Sequence, residues 1–135
     1  MESLLTRARE VFAADRYAAL TGVTIRSVGV HEAVCTLILD ERHRNARGMA
    51  MGGVLFTLAD FAAAVAANSG ELADELHWVS LDSTIHFLAP ADGNGLEACS
   101  TALKAGRTTA LYQTAIKDAE NDKTLAIVET TMVRV

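Results

Sequence analysis

The sequence predicts one α+β domain in which a curved antiparallel sheet of about six strands wraps around a long buried helix. Residues 54–67 are apolar except for Thr57 and Asp60, so a helix here has no polar face and must be covered on all sides. Two strand-like segments precede this helix and four follow it, without the alternation of a parallel sheet. Half of the 135 residues are apolar, enough for one core, so residues 1–135 are assigned to a single domain.

The remaining elements follow from periodicity and from turn residues. Apolar residues recur at helical spacing in the first segment, so an N-terminal helix over 2–15 is expected to cover an edge or an end of the fold. The central helix is predicted over 53–69, with Asn68, Ser69 and a left-handed Gly70 as its stop signal. Strands are predicted over 22–30, 33–39, 79–88, 96–104, 108–117 and 124–133, the tail being an antiparallel meander.

One of these strands alternates clearly between apolar and polar residues, as a half-buried strand does. Its predicted inner face carries Val79, Leu81, Ile85 and Phe87, and its outer face carries Ser80, Asp82, Thr84 and His86.

Charge and composition exclude several classes of function. The net charge of -5 is not gathered into blocks, so neither a nucleic-acid partner nor binding to a membrane surface is expected. Charged residues interrupt the first 17 positions and the apolar run 54–67 is shorter than the ~20 residues of a membrane span, so a cytoplasmic location is expected. The histidines lack ligand spacing and Cys35 and Cys99 lie in strand-like segments, so no metal and no cofactor are predicted.

Asp60 is the unusual residue of the central helix. A carboxylate among apolar neighbours must either find a partner or have its pKa raised, and such acids are often found in active sites. The alternative is a narrow strip of the helix that meets water.

The glycine-rich approach to the helix is the second unusual feature. Gly48, Gly52 and Gly53 would let a ligand approach the unpaired amides of the first turn, which can hold an anion or a developing oxyanion. Asn45 on the same loop could orient a water or a carbonyl. The alternatives are a tight turn at the glycines and a local turn at the asparagine.

The spacing of these two features suggests a homodimer. Eight residues separate Gly52 from Asp60, roughly 12 Å along a helix axis. One helix therefore cannot easily bring both groups to one carbonyl. A two-fold pair of chains, each lending one group to a shared site, would bring them together.

These motifs together resemble a known family. The segments Asn45-x-x-Gly48-x-x-Met51-Gly52-Gly53, Leu58-Ala59-Asp60, Ser80-x-Asp82 to Phe87 with Pro90, and Lys104-Ala-Gly106-Arg107-Thr108 are similar to the signature of hot-dog-fold acyl-CoA thioesterases of the phenylacetate-pathway (PaaI-like) type. The similarity runs from about Gly22 to the C-terminus.

The resemblance implies hydrolysis of an acyl-CoA thioester at the interface of a homodimer, often within a homotetramer. It implies that Asp60 acts as general base or nucleophile and that the Gly52 amide polarises the thioester carbonyl. It further implies that Asn45 holds the water or the carbonyl, that Ser80 assists, and that the basic turn at Lys104 and Arg107 faces the CoA phosphates, although a solvated turn is the ordinary explanation of two such charges. Met51 and Gly53 flank the polarising amide and belong to the predicted substrate-binding set.

Met51 is where the chain departs from the pattern, because the family usually has His before the glycine pair. A thioether neither donates a hydrogen bond nor carries a proton, but the Gly52 amide is unaffected by the change, so activity is expected to be retained at a reduced rate. Two alternatives therefore stand beside hydrolysis: a non-catalytic acyl-CoA-binding module, and a hot-dog dehydratase acting on a 3-hydroxyacyl thioester, which the absence of His at position 51 disfavours. The identity of the acyl group cannot be read from the residues.

Overall fold

The chain folds as one antiparallel sheet around one long helix. The computed structural model describes residues 2–72 and 75–135. The elements are α1 (Leu4–Phe12), α2 (Arg16–Thr21), β1 (Thr24–Gly29), β2 (Glu32–Ile38), a 3-10 turn (Glu41–His43), α3 (Gly52–Asn68), β3 (Trp78–Phe87), β4 (Gly95–Ala105), β5 (Thr109–Asp118) and β6 (Thr124–Arg134).

The sheet has the strand order β1-β2-β4-β5-β6-β3, and every neighbouring pair is antiparallel. The predicted hot-dog architecture, a six-stranded sheet wrapped around a helix, is confirmed. The meander comprises β4, β5 and β6. β3 does not pair with β4, the next strand in the sequence, because β4 pairs with β2; β3 pairs with β6 and forms an edge of the sheet. One side of β3 therefore has no strand partner in the described chain, and its backbone groups after Trp78, which is bonded to Asn68, are open to pairing.

The central helix α3 is covered almost all round, as its composition predicts. Leu58, Ala59, Ala62, Val65 and Ala66 are fully buried, and α3 contacts all six strands. The many alanines let the curved sheet approach the helix closely.

The end of α3 differs from the expected glycine stop. The amide and the hydroxyl of Ser69 both donate to the carbonyl oxygen of Ala66, at 3.3 and 2.8 Å. Ser69 keeps a right-handed backbone, and Gly70 is not in the left-handed region. A serine capping contact thus ends the helix one residue before the predicted boundary.

The N-terminal segment is two helices where the sequence predicts one over 2–15. The carboxylate of Asp15 accepts a hydrogen bond from the Ala18 amide (3.0 Å), which starts α2 and separates it from α1. The Arg9 guanidinium donates twice to the carbonyl oxygen of Ile25 (3.0 and 2.8 Å) and thereby fastens α1 to β1. None of the helices in residues 2–72 and 75–135 combines the length and the hydropathy of a membrane span.

Edge strand β3 carries a bulge that changes the predicted alternation. The register against β6 shifts between Ser80 and Asp82, so one extra residue is accommodated there. Ser80 therefore faces α3, opposite to the predicted side, while Leu81 is 63% exposed. The bulge matters for the site because it turns a hydroxyl toward the central helix.

Candidate active site

Asp60 has the partner that its apolar surroundings require. It is half-buried in the middle of α3, and its Oδ1 accepts a hydrogen bond from Ser80 Oγ on β3 at 3.0 Å. The same hydroxyl lies 3.6 Å from the sulfur of Met132 on β6. Over residues 2–72 and 75–135 no cation pairs with Asp60. A neutral hydroxyl donor therefore holds the carboxylate in position.

Asn68 positions the strand that supplies Ser80. It is only 2% exposed; its amide nitrogen donates to the carbonyl oxygens of Ala64 (2.9 Å) and Trp78 (3.1 Å), and its oxygen accepts from the Trp78 amide (3.0 Å). These bonds fix the start of β3 against α3, two residues before Ser80. Sequence reasoning treated Asn68 only as a stop signal. The available clue was that an amide ending an all-apolar helix becomes buried and must then be fully hydrogen-bonded.

Asp60 and Ser80 open into a cleft of about 510 Å³ between α1, α3, β3 and β6, which we call the acid cleft. Its walls are mostly apolar and include Phe12, Ala64 and Trp78. The volume lies within the range typical of small-molecule sites. The predicted N-terminal helix therefore does more than cover an end of the fold, because α1 forms one wall of this cleft.

The start of α3 provides the second chemical feature. Gly52 is its first residue, Met51 occupies the capping position, and no side chain from the described part of the chain caps the helix there. The amides of a first turn lack partners within the helix, and their dipoles point outward. A methyl group on Gly52 would come within 2.9 Å of the Phe87 ring, so this glycine also permits Phe87 to pack at the helix start.

Asn45 shares a second cleft, of about 460 Å³, with Gly52 and Phe87. Its side-chain oxygen accepts hydrogen bonds from the amides of Arg47 (2.9 Å) and Met49 (3.2 Å), so it shapes the loop before α3. This is the local turn that the sequence left open. Because the Asn45 oxygen is engaged, only its side-chain amide nitrogen could contact a substrate. That role of Asn45 stays a prediction.

Met51 and Gly53 line a third groove, of about 410 Å³, beside α2. Met51 is 58% exposed. His43, 3% exposed, lines the same groove, but its Nε2 donates to the Thr21 carbonyl oxygen (2.6 Å) and its Nδ1 accepts from the Asp40 amide (3.0 Å). Because both ring nitrogens are engaged with the backbone, His43 does not replace a histidine at position 51.

Lys104 and Arg107 are exposed on the hairpin between β4 and β5. Neither residue lines the clefts that contain Asp60 or Gly52. The hairpin lies at the same end of the sheet as Trp78, because Arg134 pairs with Trp78 and donates its amide to Thr108 (2.9 Å). Contact with CoA phosphates stays a prediction.

The two cysteines are poor candidates for a nucleophile. Both are free thiols, and burial raises the pKa of Cys35 to about 12. Burial and the carboxylate of Glu97, which accepts the Cys99 S–H bond at 3.3 Å, raise the pKa of Cys99. Both thiols stay protonated near neutral pH and are therefore weakly nucleophilic.

The structure thus divides the predicted site residues into separate places within one chain. Asp60 and Ser80 meet in the acid cleft, whereas Asn45 and Gly52 meet in the second cleft. Gly52 and Asp60 are eight positions apart on α3, roughly 12 Å along the helix axis. Within one chain the two pairs of predicted residues therefore line different clefts.

Comparison with known proteins assigns this arrangement to a class. The sequence pattern of the "Thioesterase superfamily" matches residues 47–125, which include α3 and the sheet from β3 to the start of β6. The acyl-coenzyme A thioesterase PaaI of Escherichia coli is 33% identical over 121 residues, which are 89% of this chain and 83% of that protein.

Two solved structures agree. The PaaI protein from the phenylacetic acid degradation operon of E. coli superposes with a TM-score of 0.87 at 30% identity, covering 98% of this chain and 96% of that one. A protein from Streptococcus pneumoniae described as a hypothetical thioesterase, solved with coenzyme A, has a TM-score of 0.81 at 25% identity, covering 94% of this chain and 96% of that one. The chain belongs to the thioesterase superfamily, as a hot-dog-fold member of the PaaI-like type.

Proposed function

We propose that this protein hydrolyses acyl-CoA thioesters to the free acid and CoA, at a site shared between two subunits. The observation that carries the proposal is the Asp60 carboxylate, held by Ser80 at 3.0 Å and open to an apolar cleft, in a chain of the thioesterase superfamily. The related E. coli protein is an acyl-coenzyme A thioesterase and the S. pneumoniae relative was solved with coenzyme A, which supports CoA esters as the substrate class.

Asp60 can act in either of two ways. As a general base it takes a proton from water while the hydroxide adds to the thioester carbonyl, and the proton later passes to the departing CoA thiolate. As a nucleophile it adds to the carbonyl itself, expels the thiolate and forms an anhydride that water then cleaves. In both routes the Gly52 amide stabilises the oxyanion.

A single turnover in ¹⁸O-labelled water separates these routes. General-base catalysis places the label in the released acid. Cleavage of an anhydride at the Asp60 carbonyl instead leaves the label in the protein.

The shared site follows from the position of the two groups on one helix. With roughly 12 Å between Gly52 and Asp60, a two-fold partner can supply the amide for one carboxylate and the carboxylate for the other amide. The unpaired side of β3 offers a surface where two sheets could join. We extend the proposal to a homodimer, and to a homotetramer built from two such dimers.

The remaining features of the proposal concern the CoA moiety and the compartment. Lys104 and Arg107 are exposed and cationic, so they suit the phosphates of CoA. A cytoplasmic location agrees with two free cysteines in a chain of this size, since a reducing compartment keeps thiols unpaired.

The test is release of free CoA thiol from a panel of acyl-CoA thioesters. Asp60→Asn keeps the shape of the side chain and removes its basicity, so the rate should fall by about 10²–10⁴. Asp122→Asn, the same change in the exposed turn between β5 and β6, is the matched control and should leave the rate unchanged. An Asp60→Asn protein that is as fast as wild type would refute the assignment.

A second function is favoured by one observation, Met51 in place of the usual histidine at the helix start. A non-catalytic acyl-CoA-binding module would bind the same esters. Calorimetric binding of acyl-CoA without release of thiol, by wild type as well as by Asp60→Asn, would favour this alternative.

A further inference from the structure

The acid cleft extends well past the carboxylate, and its lining indicates what enters it. We propose that this cleft is the acyl pocket and that it accepts neutral apolar acyl groups while it rejects acyl groups that end in a second carboxylate. The inference rests on the proposed function, because it places the acyl part of the thioester next to Asp60. It adds a substrate class and the residues that select it.

Ala64 determines how deep the pocket is. It lies four residues after Asp60 and therefore on the same face of α3, one turn further from the helix start. It lines the acid cleft, and its methyl group leaves the space beyond the carboxylate open. A larger side chain at this position would fill the path of an acyl chain that continues past Asp60.

The opposite wall is aromatic and held in place. The ring of Phe12 packs edge-on against Phe61, with centroids 5.5 Å apart and an interplanar angle of 77°. The backbone of Trp78 is fixed by Asn68 through two hydrogen bonds. Firm apolar walls favour hydrocarbon or aryl groups, which gain from leaving water.

The far end of the pocket offers little to a polar acyl terminus. Asn68 lines the cleft, but its oxygen and its nitrogen already bond to the backbone of Trp78 and Ala64. A polar group arriving there would lose water without gaining a new partner.

The charges around the cleft oppose a second carboxylate. Asp60 and Asp15 are the charged residues of its described lining, which contains no Lys, Arg or His. One oxygen of Asp15 accepts from the Ala18 amide, which keeps the side chain in place. An acyl group with a terminal carboxylate would bring a third negative charge into a partly enclosed space.

The experiment uses non-hydrolysable CoA thioethers and the fluorescence of Trp78, the single tryptophan of the chain. The probes are ethyl-CoA, octyl-CoA and a carboxyheptyl-CoA of the same length as octyl-CoA. Octyl-CoA should change the emission and bind at least about 10-fold more tightly than carboxyheptyl-CoA, a factor that one unfavourable charge contact can supply. Equal affinity for the two long probes, or an emission that no probe changes, would overturn the proposal.

Variants locate the effect. Ala64→Leu should weaken octyl-CoA at least about 10-fold, the cost of excluding a few buried methylenes, and leave ethyl-CoA unchanged. Ala19→Leu makes the same enlargement at an exposed position of α2 outside the cleft and should change neither probe. If Ala64→Leu leaves octyl-CoA binding intact, the pocket lies elsewhere.

Leu76→Lys is a second variant that avoids the core, since Leu76 is 36% exposed at the rim. The added cation should narrow or reverse the preference for octyl-CoA over carboxyheptyl-CoA, and an unchanged preference contradicts the inference. Because thioethers are not cleaved, this binding pattern without hydrolysis of thioesters would sustain the pocket and refute the proposed catalysis. Hydrolysis of thioesters without this binding pattern would support the proposed catalysis and refute the acyl pocket.

Discussion

The two ends of α3 differ in nearly every physical respect. The first turn, at Met51 to Gly53, is partly exposed, has no side-chain cap and carries no side chain larger than hydrogen at its first two positions. The second half is buried on most sides and is joined to β3 by the hydrogen bonds of Asn68.

The difference shows why one helix can carry two unlike chemical groups. Backbone amides act on a ligand only where the helix end is open and uncapped. A carboxylate keeps a defined position in apolar surroundings only where a fixed donor holds it, as Ser80 holds Asp60. These requirements differ, and α3 meets them at two separate places; the proposed homodimer would bring the two groups together.

Mixing two inactive variants tests this separation most strongly. Asp60→Asn disables the buried end, and Gly52→Pro removes the first amide while proline suits the first helical position. Each variant alone should lose activity by about 10²–10⁴. Co-expressed at equal levels, the two should recover about one quarter of wild-type activity, because half of the dimers are hybrids and each hybrid has one intact site.

The control for this mixture is native mass spectrometry, which shows whether hybrid dimers form. Hybrids that form but stay as slow as the single variants would mean that both groups of a site come from the same chain. Circular dichroism shows whether Gly52→Pro retains the fold, since the Phe87 ring must shift slightly.

Asn68→Ala should break the hydrogen bonds that join the buried end of α3 to the start of β3. It removes three hydrogen bonds and leaves the amide and the carbonyl of Trp78 unpaired, so the free energy of unfolding should fall by about 3 kcal/mol. Urea unfolding measures this. Asn121→Ala, the same change in an exposed turn, should lower the free energy of unfolding by less than about 1 kcal/mol. Equal losses for the two variants would show that the hydrogen bonds of Asn68 do not stabilise the fold.

Ser80→Ala should slow thioester hydrolysis by about 10-fold, the worth of one hydrogen bond that orients a reacting group. Ser83→Ala is a matched control on the same strand, because Ser83 bonds to Thr130 at 3.0 Å and not to Asp60. Comparing kcat for the two variants shows whether the Ser80 hydroxyl contributes to the reaction. If they fall equally, Ser80 has only a structural role.

Met51→His should have the smallest effect of these variants on thioester hydrolysis, and it should raise kcat where the others lower it. A histidine at the helix start can donate a hydrogen bond toward the thioester, so kcat should rise by up to roughly 10-fold, which corresponds to about 1.4 kcal/mol. Met51→Leu, of similar size and without a donor, should leave kcat unchanged. A histidine variant no faster than the leucine variant would mean that the donor contributes nothing at this position.

Sequence reasoning reached the fold and the location of the acid, but it missed how the acid is held. Apolar periodicity showed a buried helix with two strands before it and four after it. Strict alternation placed Ser80 on the wrong face, because a bulge is a property of paired strands and leaves no local signature between Ser80 and Asp82. The single predicted helix over 2–15 failed for a related reason: Asp15 is read as a cap only once the chain is seen to turn there.

The sequence by itself determined what depends on local pattern: the composition of α3, the turns and strands around it, the glycine-rich helix start, and the eight-residue spacing that separates Gly52 from Asp60. Only the tertiary structure decided what depends on distant residues meeting. In the folded chain β3 lies at the sheet edge, Ser80 bonds to Asp60, and Asn68 fixes the start of β3. Helix α1 forms a wall of the acid cleft. Periodicity records which side of an element is apolar, whereas the partner on that side is selected by the packing of the whole chain.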